Sequence, residues 1–135
     1  RGWSVLTSLL SHFDHRVVAN SLETLGRWHW TFSQKISSVE FSKMVDSARL
    51  RRLAESDSSR VAANAITVMG MIEISKDVVK MLERGLRSSQ PNVVASTRHA
   101  IHEIASYYRD VDPVYLRTQV AFCRLIERMD QKASA

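Results

Sequence analysis

The strongest constraint on the fold is a segment that occurs twice. Residues 16–26 read Arg-Val-Val-Ala-Asn-Ser-Leu-Glu-Thr-Leu-Gly, and residues 60–70 read Arg-Val-Ala-Ala-Asn-Ala-Ile-Thr-Val-Met-Gly. Arg, Val, Ala, Asn and Gly recur at equivalent positions, which gives a period of 44 residues. A period in this range is typical of proteins built from stacked helix pairs. The sequence therefore predicts tandem helical repeats.

Each copy of the segment has the spacing of an amphipathic helix. Its apolar residues fall three and four positions apart, which places them on one face of a helix. These residues are Val18, Leu22 and Leu25 in the first copy and Ala62, Ile66 and Met69 in the second. We expect the two sets to lie in the interior of equivalent helix pairs.

The composition supports an all-α domain. The 135 residues include four glycines and two prolines, and 44% of the residues are hydrophobic. A sheet of many strands needs more turn-forming residues than this, and the apolar content is enough for one core. We predict a single all-α domain over residues 1–135.

Helical spacing and capping residues predict seven helices. They span residues 3–13, 15–28, 38–55, 58–74, 76–85, 92–108 and 113–129, and the third is expected to bend near residues 48–50. The predicted N-caps are Asp14, Asp57, Ser75 and Asp112, with Pro91 and Pro113 in first turns. Ser37 and Glu40 form a predicted capping box, and Ile36 is expected to pack on Phe41.

The repeated residues resemble the HEAT-repeat family, particularly its short bacterial-type repeats. The resemblance is carried by Asp14, Arg16, Asn20 and Gly26 in the first copy and by Asp57, Arg60, Asn64 and Gly70 in the second. It implies a right-handed α-solenoid of about three antiparallel helix pairs plus a C-terminal helix. It also implies scaffold roles: the Asp and Arg residues form charge pairs between adjacent repeats, and the Asn bonds neighbouring backbone.

A third copy of the repeat is degenerate. Ala65 and Ile66 align with Ala100 and Ile101, a period of 35 residues, but the matching Arg and Asn are missing. The predicted last helix, starting after Asp112, is then either a cap or half of a pair.

The chain carries a formal charge of +5, which favours encounters with anionic partners. Arg49, Arg51 and Arg52 form the densest predicted basic patch. Acidic residues are interleaved with basic ones along most helices, which is typical of a solvated surface. Nucleic-acid binding is therefore an alternative, and a protein partner is the primary prediction.

The candidate binding residues lie on exposed positions of the predicted inner helices, beside an aromatic cluster and on the basic patch. They are Arg27, Trp28, Trp30, Arg49, Arg51, Arg52, Arg98 and His102, with Glu23 and Thr67 on the same inner helices. Tryptophan and arginine are favoured at binding hot spots. For Trp28, closing the exposed end of the array together with Trp3 is the simpler explanation.

Catalytic and metal-binding motifs are not found. His99 and Glu103 share a helix face, but two ligands do not complete a metal site. Cys123 is the single cysteine, and there is no nucleophile elbow, phosphate-binding loop or dinucleotide fingerprint. We predict no enzyme activity, no cofactor and no metal.

We predict a non-catalytic scaffold or adaptor that binds a partner protein along a concave helical surface. A structural or dimerisation segment is a further alternative, with Phe122, Ile126 and Met129 as its contact. No apolar run is long enough for a membrane span. We expect a cytoplasmic chain, since one cysteine suits a reducing compartment, and a fragment of a longer protein, since the first residue is Arg.

Overall fold

The computed structural model describes residues 2–33 and 37–134 of the chain. All regular structure in these residues is helical, which confirms the predicted all-α class. The nine helices described are α1 (Gly2–Leu9), α2 (His15–Thr31), α3 (Ser38–Met44), α4 (Ser47–Leu53), α5 (Ser59–Ile72), α6 (Lys76–Leu86), α7 (Pro91–Val111), α8 (Pro113–Thr118) and α9 (Val120–Ser134). None of the helices described combines the length and apolarity needed to cross a membrane.

Helices adjacent in sequence pack against each other. Helix α1 packs on α2, α3 and α4 pack on α5, and α6 packs on α7. At the C-terminal end α8 and α9 contact α7, and α9 also contacts α6. In each of these groups one helix is the longest: α2 in the first, α5 in the second and α7 in the third.

These three helices lie next to one another, with α5 between α2 and α7. Because α5 is covered on two sides, its apolar residues divide between two cores. Val61, Ala65 and Val68 belong to an N-terminal core. Ala63, Ile66 and Met71 belong to a C-terminal core. Helix α5 thus joins the two halves of the described chain.

The repeated apolar positions are helical in both copies, but their burial differs. Val18, Leu22 and Leu25 are buried in the N-terminal core. In the second copy Ile66 is buried, whereas Ala62 and Met69 are half-buried. The difference follows from the position of α5, because contacts with both α2 and α7 distribute burial over two faces of that helix.

The terminal glycine of the second copy allows two helices to approach closely. A Cβ atom at Gly70 would collide with the side chain of Ile104 on α7. At the equivalent Gly26, a Cβ atom would have Sδ of Met71 as its nearest neighbour, at 3.5 Å, which is an ordinary contact. Gly85 of α6 is tighter still, since a Cβ atom there would collide with Thr97 of α7.

The first helix is shorter than predicted. It ends at Leu9 and continues as a tight turn in which the backbone N–H groups of residues 10–12 bond three residues back. Nδ1 of His12 then accepts a hydrogen bond from the Asp14 N–H at 3.0 Å. Phe13, predicted to lie on the apolar face, is instead 91% exposed.

The predicted helix 38–55 is two helices, and the break comes earlier than the predicted bend. Asp46 has extended backbone and accepts hydrogen bonds from the N–H groups of Ala48 and Arg49. It therefore caps α4 and ends the preceding helix. Phe41, Val45 and Leu50 remain buried on either side of the break.

Most of the predicted caps are found, with one correction. Asp14, Ser37, Ser75 and Asp112 each cap the following helix. Helix α5 is capped by Ser58, whose side chain accepts from the Val61 N–H, and not by Asp57. Ser58 precedes Arg60 by two positions, as Asp14 precedes Arg16, so it is the true equivalent. The predicted Ile36 contact lies outside the described residues.

The predicted last helix is also two helices, with a break at Gln119. The Thr118 hydroxyl donates to the Tyr115 carbonyl at 2.6 Å and competes with the helical hydrogen bonds there. Phe122 and Met129 are buried in the C-terminal core, and Ile126 packs against it. Phe122 and Met129 are therefore buried within the chain, and of the three residues predicted to contact another chain Ile126 alone is half-buried.

Candidate binding surfaces

A groove of about 510 Å³ is lined by residues of α2, α5 and α7. Its apolar floor is formed by Leu22 and Gly26 of α2 and by Ala63, Val68 and Met71 of α5. Polar side chains from α2, α5 and α7 surround this floor. The groove thus combines an apolar base with a polar rim, which is the usual composition of a binding surface in proteins.

Two arginines share one carboxylate at the α2–α5 side of the groove. The Glu23 carboxylate lies 2.7 Å from the Arg27 guanidinium and 3.5 Å from that of Arg60. Arg60 also donates to the Asn20 side-chain oxygen at 2.6 Å. Arg27 is exposed, so one guanidinium of this cluster is accessible to a ligand.

Asn64 connects the two copies of the repeat. Its side-chain amide donates to the Ala19 carbonyl of α2 at 3.0 Å. Thr67, one turn further along the groove, donates its hydroxyl proton to the Ala63 carbonyl of its own helix. Asn64 therefore positions α5 against α2, and Thr67 is a half-buried side chain on the groove surface.

Trp30 forms the end of the groove nearest the C-terminus of α2. Its indole Nε1 donates to the Asp110 carboxylate at 2.7 Å, which ties α2 to α7. Its ring packs edge-to-face on Tyr107, with 5.7 Å between the ring centroids. The half-buried indole keeps part of its surface on the groove, where a rigid aromatic group is well suited to binding.

The α7 side of the groove differs from the prediction. His99 and Glu103 line it, with 3.9 Å between His99 Nε2 and the Glu103 carboxylate. The predicted residues Arg98 and His102 do not line it. The 35-residue offset matches the groove residues Arg60 and Asn64 of α5 with Ala95 and His99 of α7, so the choice of exposed positions on α7 was in error and not the alignment.

Trp28 and Trp30 serve different surfaces although they are two positions apart. Trp28 packs edge-to-face on Trp3 of α1, with 5.3 Å between the ring centroids. Trp3 in turn contacts Phe41 at 5.5 Å. Trp28 therefore packs on Trp3, which covers the N-terminal core, and Trp30 alone of the two lines the groove.

Two arginines of the predicted basic patch bond to other residues of the chain. Arg49 donates to the Thr7 carbonyl at the end of α1, at 2.8 Å. Arg51 pairs with Asp77 of α6 at 2.6 Å, and the guanidinium lowers the pKa of that carboxyl below its usual range. Arg52 is exposed. Two of the three arginines thus join neighbouring helices.

No family model, curated protein or solved structure matches this chain.

His29 is the most deeply buried titratable side chain near the groove, with 1% of its surface exposed. Its ring stacks on Phe41, and Nε2 lies 2.9 Å from the Tyr107 hydroxyl. Burial lowers the pKa of His29, and the backbone of Met71 offsets part of this effect. A neutral imidazole therefore joins α2 to α3 and α7.

The residues that were considered as metal ligands or as a nucleophile lie at separate places in the structure. Among residues 2–33 and 37–134, no three His, Cys, Asp or Glu side chains lie together as metal ligands. The His99–Glu103 pair is part of the groove wall. Cys123 is half-buried, and its Sγ lies 3.3 Å from the Leu116 carbonyl.

Proposed function

We propose that this chain is a non-catalytic protein-binding module. It is a short HEAT-like α-solenoid, and the groove across α2, α5 and α7 holds a segment of a partner protein. The observation that supports the proposal is that one groove is lined by α2, α5 and α7, three long helices that lie next to one another. Such a surface is how stacked helical repeats present side chains to a partner.

The contacts between the two clear copies support a repeated architecture. Arg60 and Asn64, both residues of the repeated segment, bond to Asn20 and Ala19 of the preceding copy. A residue that occurs at the same place in each copy and contacts the neighbouring copy is typical of a stack held by nearest-neighbour interfaces. In a right-handed solenoid the partners of α2, α5 and α7 would then form the outer layer.

The chemistry of the groove favours a protein partner. Glu23, Arg27, Arg60 and Glu103 place both signs of charge around the apolar floor, with Trp30 at one end. A polyanionic backbone would be repelled by the two carboxylates, whereas a protein segment can offer both charges and an apolar side chain. The mixed rim thus suits a polypeptide of mixed composition.

Nucleic-acid binding through the basic patch remains the alternative prediction. Arg49 and Arg51 are already bonded within the chain, so phosphate binding would have to compete with those contacts. The two hypotheses differ in salt dependence. Affinity for a phosphate backbone falls steeply as salt rises, and the slope increases with the number of phosphates contacted.

Site-specific photo-crosslinking tests the proposal. Benzoylphenylalanine would replace Thr67 in the groove and, as a control, the exposed Val114 of α8, which does not line the groove. Expression in the source cells, irradiation and mass spectrometry then identify adducts. We expect one defined protein adduct from position 67 and none of the same identity from position 114.

Charge reversal on α2 provides the second control. Arg27→Glu should abolish the adduct, since it places three carboxylates on the groove rim. Arg16→Glu, on the same helix but outside the groove, should leave it intact. Nuclease-sensitive adducts, or equal crosslinking from both positions, would contradict the proposed function.

A further inference from the structure

Three arginines from three different elements meet around a small pocket at the C-terminal end of the described chain. Arg87 follows α6 as its C-cap, Arg98 lies on α7 and Arg128 lies on α9. Together they line a pocket of about 140 Å³, which is the size of a side-chain head group rather than of an extended ligand. This pocket shares no lining residue with the groove.

The arginine pocket has an excess of positive charge. Glu83 is the one carboxylate on its wall, and it lies 3.9 Å from the Arg87 guanidinium, which is a weak ion pair. None of the ion pairs found among residues 2–33 and 37–134 includes Arg128. Three arginines and a single carboxylate therefore line the pocket, and this net positive charge attracts an anion.

The remaining lining of the pocket is apolar. Leu86, Val94 and Met129 form its other walls. Arg98 is half-buried, and its guanidinium donates a long hydrogen bond, 3.4 Å, to the Met129 carbonyl of α9. Partial ordering of this side chain lowers the conformational entropy that it loses on binding a carboxylate.

We propose that the arginine pocket binds an acidic side chain of a partner protein, with an adjacent apolar side chain on Leu86, Val94 and Met129. Guanidinium groups bind carboxylates through paired hydrogen bonds. A nucleic acid would need cations spaced along its phosphates, whereas this pocket gathers three around one small apolar cavity. The proposal is a second contact of the protein-binding function, and because the pocket is separate from the groove, either can fail without the other.

Fluorescence anisotropy with defined probes tests the proposal. The probe is a short labelled peptide that carries two Glu-Leu pairs separated by serines. A second peptide has glutamine for each glutamate, and a third has alanine for each leucine. An oligonucleotide of equal charge tests whether phosphates bind in place of carboxylates. Each is titrated with the full chain and with Arg128→Gln and Arg124→Gln variants.

Arg124 is the matched control, because it is exposed on the same helix one turn away and does not line the pocket. We expect Arg128→Gln to weaken binding of the Glu-Leu peptide about tenfold, equivalent to about 1.4 kcal/mol. Arg124→Gln should change it less than about twofold. The glutamine and alanine peptides should both bind more weakly than the Glu-Leu peptide.

Four results would overturn the proposal. They are equal losses in the two variants, equal binding of the glutamine peptide, tighter binding of the oligonucleotide than of the peptide, or no binding of the peptide at millimolar concentration. Circular dichroism of both variants checks that their folding is unchanged. The photo-crosslink at position 67 reports on the groove independently of these results.

Discussion

At the scale of single residues, the two motif glycines occupy equivalent sequence positions but different surroundings. Gly70 lies against Ile104, where a Cβ atom would collide, whereas Gly26 has room for one. Gly70→Ala should therefore lower the free energy of unfolding by about 1–3 kcal/mol, the usual cost of overpacking a core. Gly26→Ala should be neutral or stabilise by up to about 1 kcal/mol, because alanine favours helix.

Urea denaturation of the two glycine variants measures these changes. Both substitutions add the same methyl group at the same motif position, so the comparison isolates the α5–α7 contact. Equal effects of the two variants would show that α5 and α7 are not in close contact at Gly70.

The burial of His29 predicts a pH dependence of stability. Its pKa is lowered in the folded state, so the unfolded state binds the proton more readily as the pH falls below about 6.5. The free energy of unfolding should then decrease with falling pH, by at most about 1.4 kcal/mol per pH unit, until the pH passes below the folded pKa. This pH range lies above the pH range in which the carboxylates of Asp14 and Asp77 become protonated and lose their ion pairs, because the pKa of each carboxyl is lowered.

His29→Gln removes this titration and retains a group that can bond the Tyr107 hydroxyl. Urea melts at pH 7 and pH 5 should show a smaller loss for the variant than for the parent chain. If both lose the same stability over this range, His29 does not remain neutral and buried in the folded protein.

At this scale local sequence patterns indicated some of the residues that line the groove and missed others for a physical reason. Arg27, chosen from an exposed helix position, and Trp30, chosen from the aromatic cluster, both line the groove. The bond between His29 and Tyr107 joins residues far apart in sequence, and no local pattern indicates such a pair. Arg49 and Arg51 were predicted from local charge density, which does not indicate their bonds to Thr7 and Asp77.

At the scale of helices, capping decides where α5 begins. Ser58 accepts the Val61 N–H, whereas Asp57 is exposed and does not cap. Ser58→Ala should cost about 1 kcal/mol of stability. Asp57→Ala should change it by less than about 0.5 kcal/mol. Thermal melts of the two variants decide between the caps, and a larger effect of Asp57→Ala would restore the sequence-based assignment.

The other end of α5 is held by two tyrosines. The Tyr108 hydroxyl lies 2.7 and 2.9 Å from the carbonyl oxygens of Gly70 and Met71 and shares its proton between them. The Tyr115 hydroxyl accepts from the Ile74 N–H at 3.0 Å. Because these groups take the place of water at the end of the helix, their loss leaves backbone groups without partners.

Tyr108→Phe should lower the free energy of unfolding by about 1–3 kcal/mol, since it leaves buried carbonyls unsatisfied. Tyr115→Phe should cost less, because Tyr115 is half-buried and water can reach its partner more easily. Chemical denaturation of both variants shows which of them loses more free energy of unfolding. If Tyr108→Phe left the free energy of unfolding unchanged, α5 would not end against α7 as described.

Helix boundaries were harder to predict than helix positions. The sequence places helices over most of the correct residues because apolar spacing is a strong local signal. The breaks after Met44 and after Thr118 depend on single side chains, Asp46 and Thr118, that compete for backbone groups. Such competition is decided by packing on both sides of the break, which one segment of sequence does not contain.

At the scale of the whole molecule, the sequence did not predict which residues of α7 line the groove. His99 and Glu103 line it, whereas the predicted Arg98 and His102 do not. The arginine pocket combines residues from α6, α7 and α9, so it depends on the tertiary arrangement. Surfaces formed by several elements were therefore beyond the reach of sequence patterns.

The central claim is that α2, α5 and α7 pack side by side as equivalent members of successive helix pairs. Isotope-edited NOE spectroscopy tests it most directly through the motif glycines. We predict NOEs from the Gly26 α-protons to the Met71 methyl group and from the Gly70 α-protons to the Ile104 δ-methyl group, since both pairs are in contact. Absence of both NOEs in a chain whose intrahelical NOEs are complete would contradict the claim.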